Sequence, residues 1–163
     1  MIVVVVGGTR SGKSAVAETL AADLGEPVTV IVPASPTAVD ADHEARIEAH
    51  RARRPASWST VECGPGLVAA IEAARGTVLV DSLGTWVSSS PCLEVDVPAL
   101  VDALARRTES TVLVTEEVGL AVHPTTEAGR RFVDAVGALN AAVARVADDV
   151  LLVVAGRTLR LDA

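Results

Sequence analysis

Gly7-Gly8-Thr9-Arg10-Ser11-Gly12-Lys13-Ser14 carries the most chemistry per residue in this chain. Gly-x-x-x-x-Gly-Lys-Ser is the spacing of a loop whose backbone N–H groups curl round a phosphate. Lys13 would reach the terminal phosphates of a nucleoside triphosphate, and Ser14 would offer its hydroxyl to Mg²⁺. The second requirement of such a site is a carboxylate at a strand end, aimed at the metal through water. Asp81, after Val78-Leu79-Val80, meets it. Glu117, following Val112-Leu113-Val114-Thr115, is a further candidate for orienting metal or substrate, whereas its neighbour Glu116 is expected to point elsewhere as a solvated or loop-anchoring group.

The elements around these residues fit that role. Val3 to Val6 read as a short strand buried on both faces, and Ala15 to Leu24 as a helix whose N-terminus lends partial positive charge to the loop. Strands are expected over 27–32, 58–62, 77–81 and 110–115. Helices are expected over 40–54, 66–75, 97–107 and 127–147, with 84–95 turn-like and a terminal hairpin over 149–161. Strands alternating with helices imply an α/β domain with a mainly parallel sheet covered on both sides. Parallel sheets bind ligands at the carboxyl ends of their strands, where Lys13, Asp81 and Glu117 would converge.

Composition narrows the class. The 163 residues suit a single domain over 1–163. Half of them are hydrophobic yet only Trp58, Trp86 and Phe132 are aromatic, so the core must be aliphatic. A net charge of −7 argues against a nucleic-acid partner. No apolar run reaches the ~20 residues of a membrane span. The N-terminus enters a strand with no signal-peptide pattern, so a cytoplasmic protein is expected. Cys63 and Cys92 form no ligand pattern and read as reduced thiols. Lys13 is the only lysine. A GTPase switch would need a second one in its (Asn/Thr)-Lys-x-Asp guanine-reading motif, and that class is excluded.

The helix expected over 40–54 brings His43, Arg46, Ile47, His50 and Arg54 onto one stripe. Periodicity leaves two readings open: a basic helix end complementing its own dipole, or a face turned to a triphosphate.

The motifs taken in order resemble one family, the bifunctional adenosylcobinamide kinase/adenosylcobinamide-phosphate guanylyltransferases of cobalamin biosynthesis. They are the glycine loop, Ala45-Arg46-Ile47 with His50, Arg54-Pro55 and Trp58, Thr60-x-Glu62, Val78-Leu79-Val80-Asp81-x-Leu83 with Trp86, Glu117-Val118-Gly119, Pro124, and Arg131-Phe132-x-Asp134-x-x-Gly137-x-Leu139-Asn140. The chain departs from the pattern at Glu116, where the family commonly has Asn, and at Val133, where it often has Arg. It departs again in a shorter segment after Trp86 that carries Ser88-Ser89-Ser90.

The resemblance implies a P-loop NTPase fold of the RecA-like kind with a C-terminal β-hairpin, and two reactions in one site region. A nucleoside triphosphate, ATP or GTP, with Mg²⁺ phosphorylates the aminopropanol hydroxyl of adenosylcobinamide. A histidine then attacks the α-phosphorus of GTP, releases pyrophosphate and passes GMP to the phosphorylated corrinoid. His50 matches the family nucleophile; His43 and His123 match no family histidine. Arg46, Arg54 and Glu62 are implied neighbours of the nucleotide, and a homo-oligomer, a trimer with its site between subunits, is implied for the assembly. A monofunctional small-molecule kinase would use the loop and Asp81 but give His50 no task. A non-catalytic nucleotide-binding protein would bind without turnover.

Overall fold

The structure, a computed structural model, describes residues 1–34 and 54–162. Among the described residues seven strands form one sheet: β1 Ile2–Gly7, β2 Val28–Val32, β3 Ser59–Glu62, β4 Thr77–Asp81, β5 Thr111–Glu116, β6 Asp149–Val154 and β7 Arg157–Leu161. Their spatial order is β3-β2-β4-β5-β1-β6-β7. All neighbouring pairs are parallel except β6 with β7. Helices α1 Lys13–Asp23, α2 Leu67–Ala73, α3 Leu83–Ser89, α4 Val97–Arg106 and α5 Glu127–Ala144 flank it.

The aliphatic strands alternate between two buried layers, because successive side chains of a strand point to opposite faces. Val3, Val5, Leu79, Val112 and Val114 pack with Ala17 and Ala21 of α1. Val4, Val78, Val80 and Leu113 pack with Leu67 and Ile71 of α2, Leu83 and Trp86 of α3, Leu100 and Leu104 of α4, and Val136, Leu139 and Val143 of α5. Parallel strands buried on both sides need no polar alternation, which is why the sequence shows continuous Val/Leu runs.

The terminal hairpin turns on Ala155 and Gly156, with φ of 50° and 73°. Both central residues in the left-handed region give the tight turn whose twist matches that of the flanking strands. The segment expected to be turn-like is instead α3 followed by a single 3₁₀ turn, Pro91–Leu93. Ser82 caps α3 by accepting the Thr85 N–H, and Leu83, Trp86 and Val87 are buried at i, i+3, i+4 spacing. Packing prevails over the weak helix propensity of Gly84, Thr85 and the serine run. The helix expected over 40–54 lies outside the described residues as far as Arg53.

Arg107, beyond the end of α4, joins that helix to α2. Its side chain is 6% exposed, and it donates to the carbonyls of Ile71 (3.0 Å) and Ala74 (2.9 Å), and to that of Gly76. Burial lowers the guanidinium pKa, Glu109 raises it and Arg75 lowers it further; an arginine stays charged throughout the physiological range regardless. Arg107→Ala strands three carbonyls at a helix end, so unfolding in urea should show a loss of about 2–4 kcal/mol. Arg107→Lys, which cannot fork to three acceptors, should recover little of it.

Candidate nucleotide site

At Gly7 the chain leaves β1 so close to its neighbours that a Cβ there would lie 2.5 Å from Ser11 Oγ and 2.8 Å from the Val153 carbonyl oxygen. Only glycine passes. The loop closes with the Ser11 N–H on the Gly8 carbonyl (3.2 Å), and the Gly156 N–H of the hairpin turn donates to the Ser11 carbonyl (2.8 Å). Thr9 and Arg10 are exposed on its rim. Gly12, with φ of 94°, stands at the N-cap of α1 and supplies no side-chain cap. By contrast α3, α4 and α5 are capped by Ser82, Asp96 and Thr126. The first turn of α1 therefore keeps N–H groups and dipole for an outside acceptor.

Strand order decides what faces this loop. β5 lies between β1 and β4, so the carboxyl end of β5 separates the loop from Asp81. Asp81 shares the α1 side of β4 with Leu79, and Glu116 shares the α1 side of β5 with Val112 and Val114. The result is a compact charged cluster. Lys13 Nζ donates to the Gly8 carbonyl at 3.3 Å and lies 3.9 Å from Glu116 Oε1. Ser14 Oγ donates to Asp81 Oδ1 at 3.4 Å. The Arg54 guanidinium, 7% exposed, donates to Asp81 Oδ2 at 3.0 Å and to Glu18 Oε1 at 3.3 Å.

The expectation for Glu116 is corrected. Glu116, expected to point elsewhere, faces Lys13, while the Glu117 carboxylate accepts the N–H groups of Gly119 (2.6 Å) and Leu120 (3.1 Å) and so braces its own loop. The reason is parity: Thr115 turns to α5, its hydroxyl 2.6 Å from Asn140 Oδ1, and the next residue must turn to α1. The Asn140 amide also holds the Glu116 carbonyl at 2.9 Å, fixing the strand end. Glu62 ends the outer strand β3 at the same edge of the sheet, with β2, β4 and β5 between it and β1. Glu18 and Glu116 were missed as site residues. Glu18 was legible as one helical turn beyond Ser14 on α1; Glu116 needed the face assignment that doubly buried strands conceal. His50, Arg46 and His43 lie outside the described residues.

An ammonium beside an open helix N-terminus suits phosphate, and a hydroxyl paired with a carboxylate suits a hard divalent cation. Cys63 is not a competitor as nucleophile: burial pushes its thiol pKa up, against a smaller opposing effect of its backbone hydrogen bond.

A glycine loop between a central parallel strand and an uncapped helix, with a strand-end aspartate across one intervening strand, defines the P-loop NTPase class. The fold is similar to that of the flagellar accessory protein FlaH of Methanocaldococcus jannaschii (TM-score 0.55, 11% identity, 96% of this chain and 74% of that one). The family model for cobinamide kinase/cobinamide phosphate guanyltransferase matches residues 3–161, and the chain belongs to that family. It is 40% identical to the bifunctional adenosylcobalamin biosynthesis protein CobP of Pseudomonas aeruginosa, over 93% of this chain and 92% of that one. It is 32% and 33% identical to the CobU proteins of Salmonella typhimurium and Escherichia coli, each over 96% of this chain and 97% of theirs.

Gly7→Ala tests the loop directly. The new methyl must displace Ser11 or β6, so binding of a triphosphate, measured by calorimetry, should weaken about tenfold or more while the far-ultraviolet spectrum stays that of the parent.

Proposed function

We propose that this protein is a bifunctional enzyme that phosphorylates adenosylcobinamide with a nucleoside triphosphate and then transfers GMP from GTP to the phosphorylated product. The observation that carries the reading is the joint placement of Lys13, Ser14 and Asp81 at one strand-end site in a chain of this family. The loop from Gly7 to Ser14 cradles the phosphates, and the Lys13 ammonium neutralises charge on the terminal ones. Ser14 and Asp81, whose oxygens already meet at 3.4 Å, are the residues to hold Mg²⁺. An ion held there would supply neutralisation of the negative charge that develops on the phosphates. Arg54, Glu62 and Glu117 are proposed as further nucleotide neighbours, with Arg46 added from the family pattern.

His50 is proposed as the guanylyl acceptor. Neutral imidazole attacks the α-phosphorus, pyrophosphate leaves with the bonding electrons, and the GMP later passes to the corrinoid phosphate. Three residues of chain, a reach of at most about 14 Å when extended, separate His50 from Arg54, which is anchored on Asp81. The assembly is proposed to be a trimer working in the cytoplasm. The free thiols of Cys63 and Cys92 suit a reducing compartment. Among the described residues no helix is long and apolar enough to cross a membrane.

Incubation with GTP and Mg²⁺, without corrinoid, should leave one covalently bound GMP on the intact protein by mass spectrometry. The bond should be labile in acid and stable in alkali, as a phosphoramidate is, and should form more slowly below the imidazole pKa of ~6.5. His50→Ala should lose the adduct and keep corrinoid phosphorylation, whereas His43→Ala and His123→Ala should still be labelled. An adduct that survives in His50→Ala moves the nucleophile elsewhere, and no adduct in any protein makes a monofunctional kinase the better reading.

Asp81→Asn removes charge at constant shape. Mg²⁺-dependent turnover should fall about a hundredfold with little change in melting temperature. Equal losses of both would assign Asp81 to the fold alone.

A further inference from the structure

Glu116 is mounted with more care than a loop anchor requires. It sits level with Gly7 across the β1–β5 pair. Its Oε1 accepts the Ser82 hydroxyl at 2.9 Å, and Ser82 is itself fixed, 4% exposed, as the cap of α3. Space for the carboxylate exists because residue 84 is glycine: a Cβ there would collide with Glu116 Oε2. That Oε2 is buried and has no hydrogen-bond partner among the described residues. An orphaned carboxylate oxygen is costly to bury, and among the described residues the cation set against this group is Lys13, 3.9 Å from Oε1. The Arg54 guanidinium is turned to Glu18 and Asp81 instead.

We infer that Glu116 is a positioning residue for Lys13, holding the ammonium between the loop and the end of β4 where the terminal phosphates arrive. The inference rests on Lys13 being the phosphate ligand. It carries two consequences of opposite sign. A carboxylate beside the phosphates repels them and weakens ground-state binding. A lysine fixed in direction needs no rearrangement as charge moves during phosphoryl transfer, which speeds turnover. Glu116 thus gives up nucleotide affinity for placement of the catalytic cation. A residue that merely supported the fold would change affinity and turnover in the same direction, together with stability.

The test uses the full-length protein as wild type, Glu116→Gln, Glu116→Asp and Lys13→Ala. Three quantities are read: the Kd of a non-hydrolysable GTP analogue with Mg²⁺, kcat for adenosylcobinamide phosphorylation at saturating triphosphate, and Tm. Glu116→Gln keeps the shape and the Ser82 contact but loses the charge. It should bind the analogue about three- to tenfold tighter and turn over about tenfold slower, with Tm equal to or above that of wild type. Glu116→Asp keeps the charge but draws it back by one methylene, so Kd should stay near wild type while kcat falls; it carries the test alone if the Gln variant does not fold. Wild-type Kd and kcat in Glu116→Gln, or losses in both that track a lower Tm, overturn the inference. Lys13→Ala keeps the two readings apart. If it binds the analogue like wild type, the phosphate-loop reading itself fails; if it loses binding while Glu116→Gln is unchanged, only the role of Glu116 fails.

Discussion

A sheet whose central strands β1, β2, β4 and β5 carry charge only at the carboxyl ends, on Asp81 and Glu116, must compensate it where it stands, and that constraint shapes the whole site. The Arg54 guanidinium, 7% exposed, is set between Glu18 on α1 and Asp81 on β4. Removing both carboxylates together would leave a buried charge without these partners, a far larger penalty than loss of an exposed pair, whereas either one alone still faces the guanidinium. Lys13 and Glu116, 3.9 Å apart and more open to solvent, make a second and looser pair. The three ion pairs connect the first helix, β4, β5 and Arg54, so the phosphate loop is braced from several elements as well as by its own hydrogen bonds.

The backbone does a complementary job. Gly7 lets the chain turn beside β6, and the hairpin turn at Gly156 returns to hold the Ser11 carbonyl. The last strands of the sheet thereby fix the first loop. This long-range contact holds the loop in place from outside its own sequence, and a preformed arrangement is what a group meant to stabilise moving charge needs. The start of α1 fits the same purpose: its N-cap is a glycine where α3, α4 and α5 have side-chain caps, and beyond the Lys13 N–H, which reaches Ser11 Oγ at 3.4 Å, the first-turn N–H groups stay available.

β5 carries the division of labour. Because it lies between β1 and β4, its last residues necessarily sit at the centre of the site. Thr115 goes to α5, Glu116 to the lysine, and Glu117 to the backbone of its own loop. Three successive polar residues thus serve the rear packing, the phosphate site and the loop that leaves it. Adjacent carboxylates can have unlike tasks because a strand alternates and a strand end stops alternating.

Much of this was legible beforehand. The glycine loop, the valine strand before it and the helix after it have local causes: backbone freedom at glycine, double burial of an aliphatic run, helix propensity. Apart from the helix at Leu83–Ser89, the described strands and helices follow from spacing, and so does the place of Asp81 at the carboxyl end of an apolar strand. The tertiary structure decided the rest. Whether Glu116 or Glu117 faces Lys13 depends on which side of β5 is which, and a strand apolar on both faces carries no mark of that in its residues. The helix at Leu83–Ser89 depends on burial of Leu83, Trp86 and Val87 against distant elements, which overrides its serines and glycine. Arg54 could be read as basic from its type, but its place between Glu18 and Asp81 is a property of three segments brought together only by the fold.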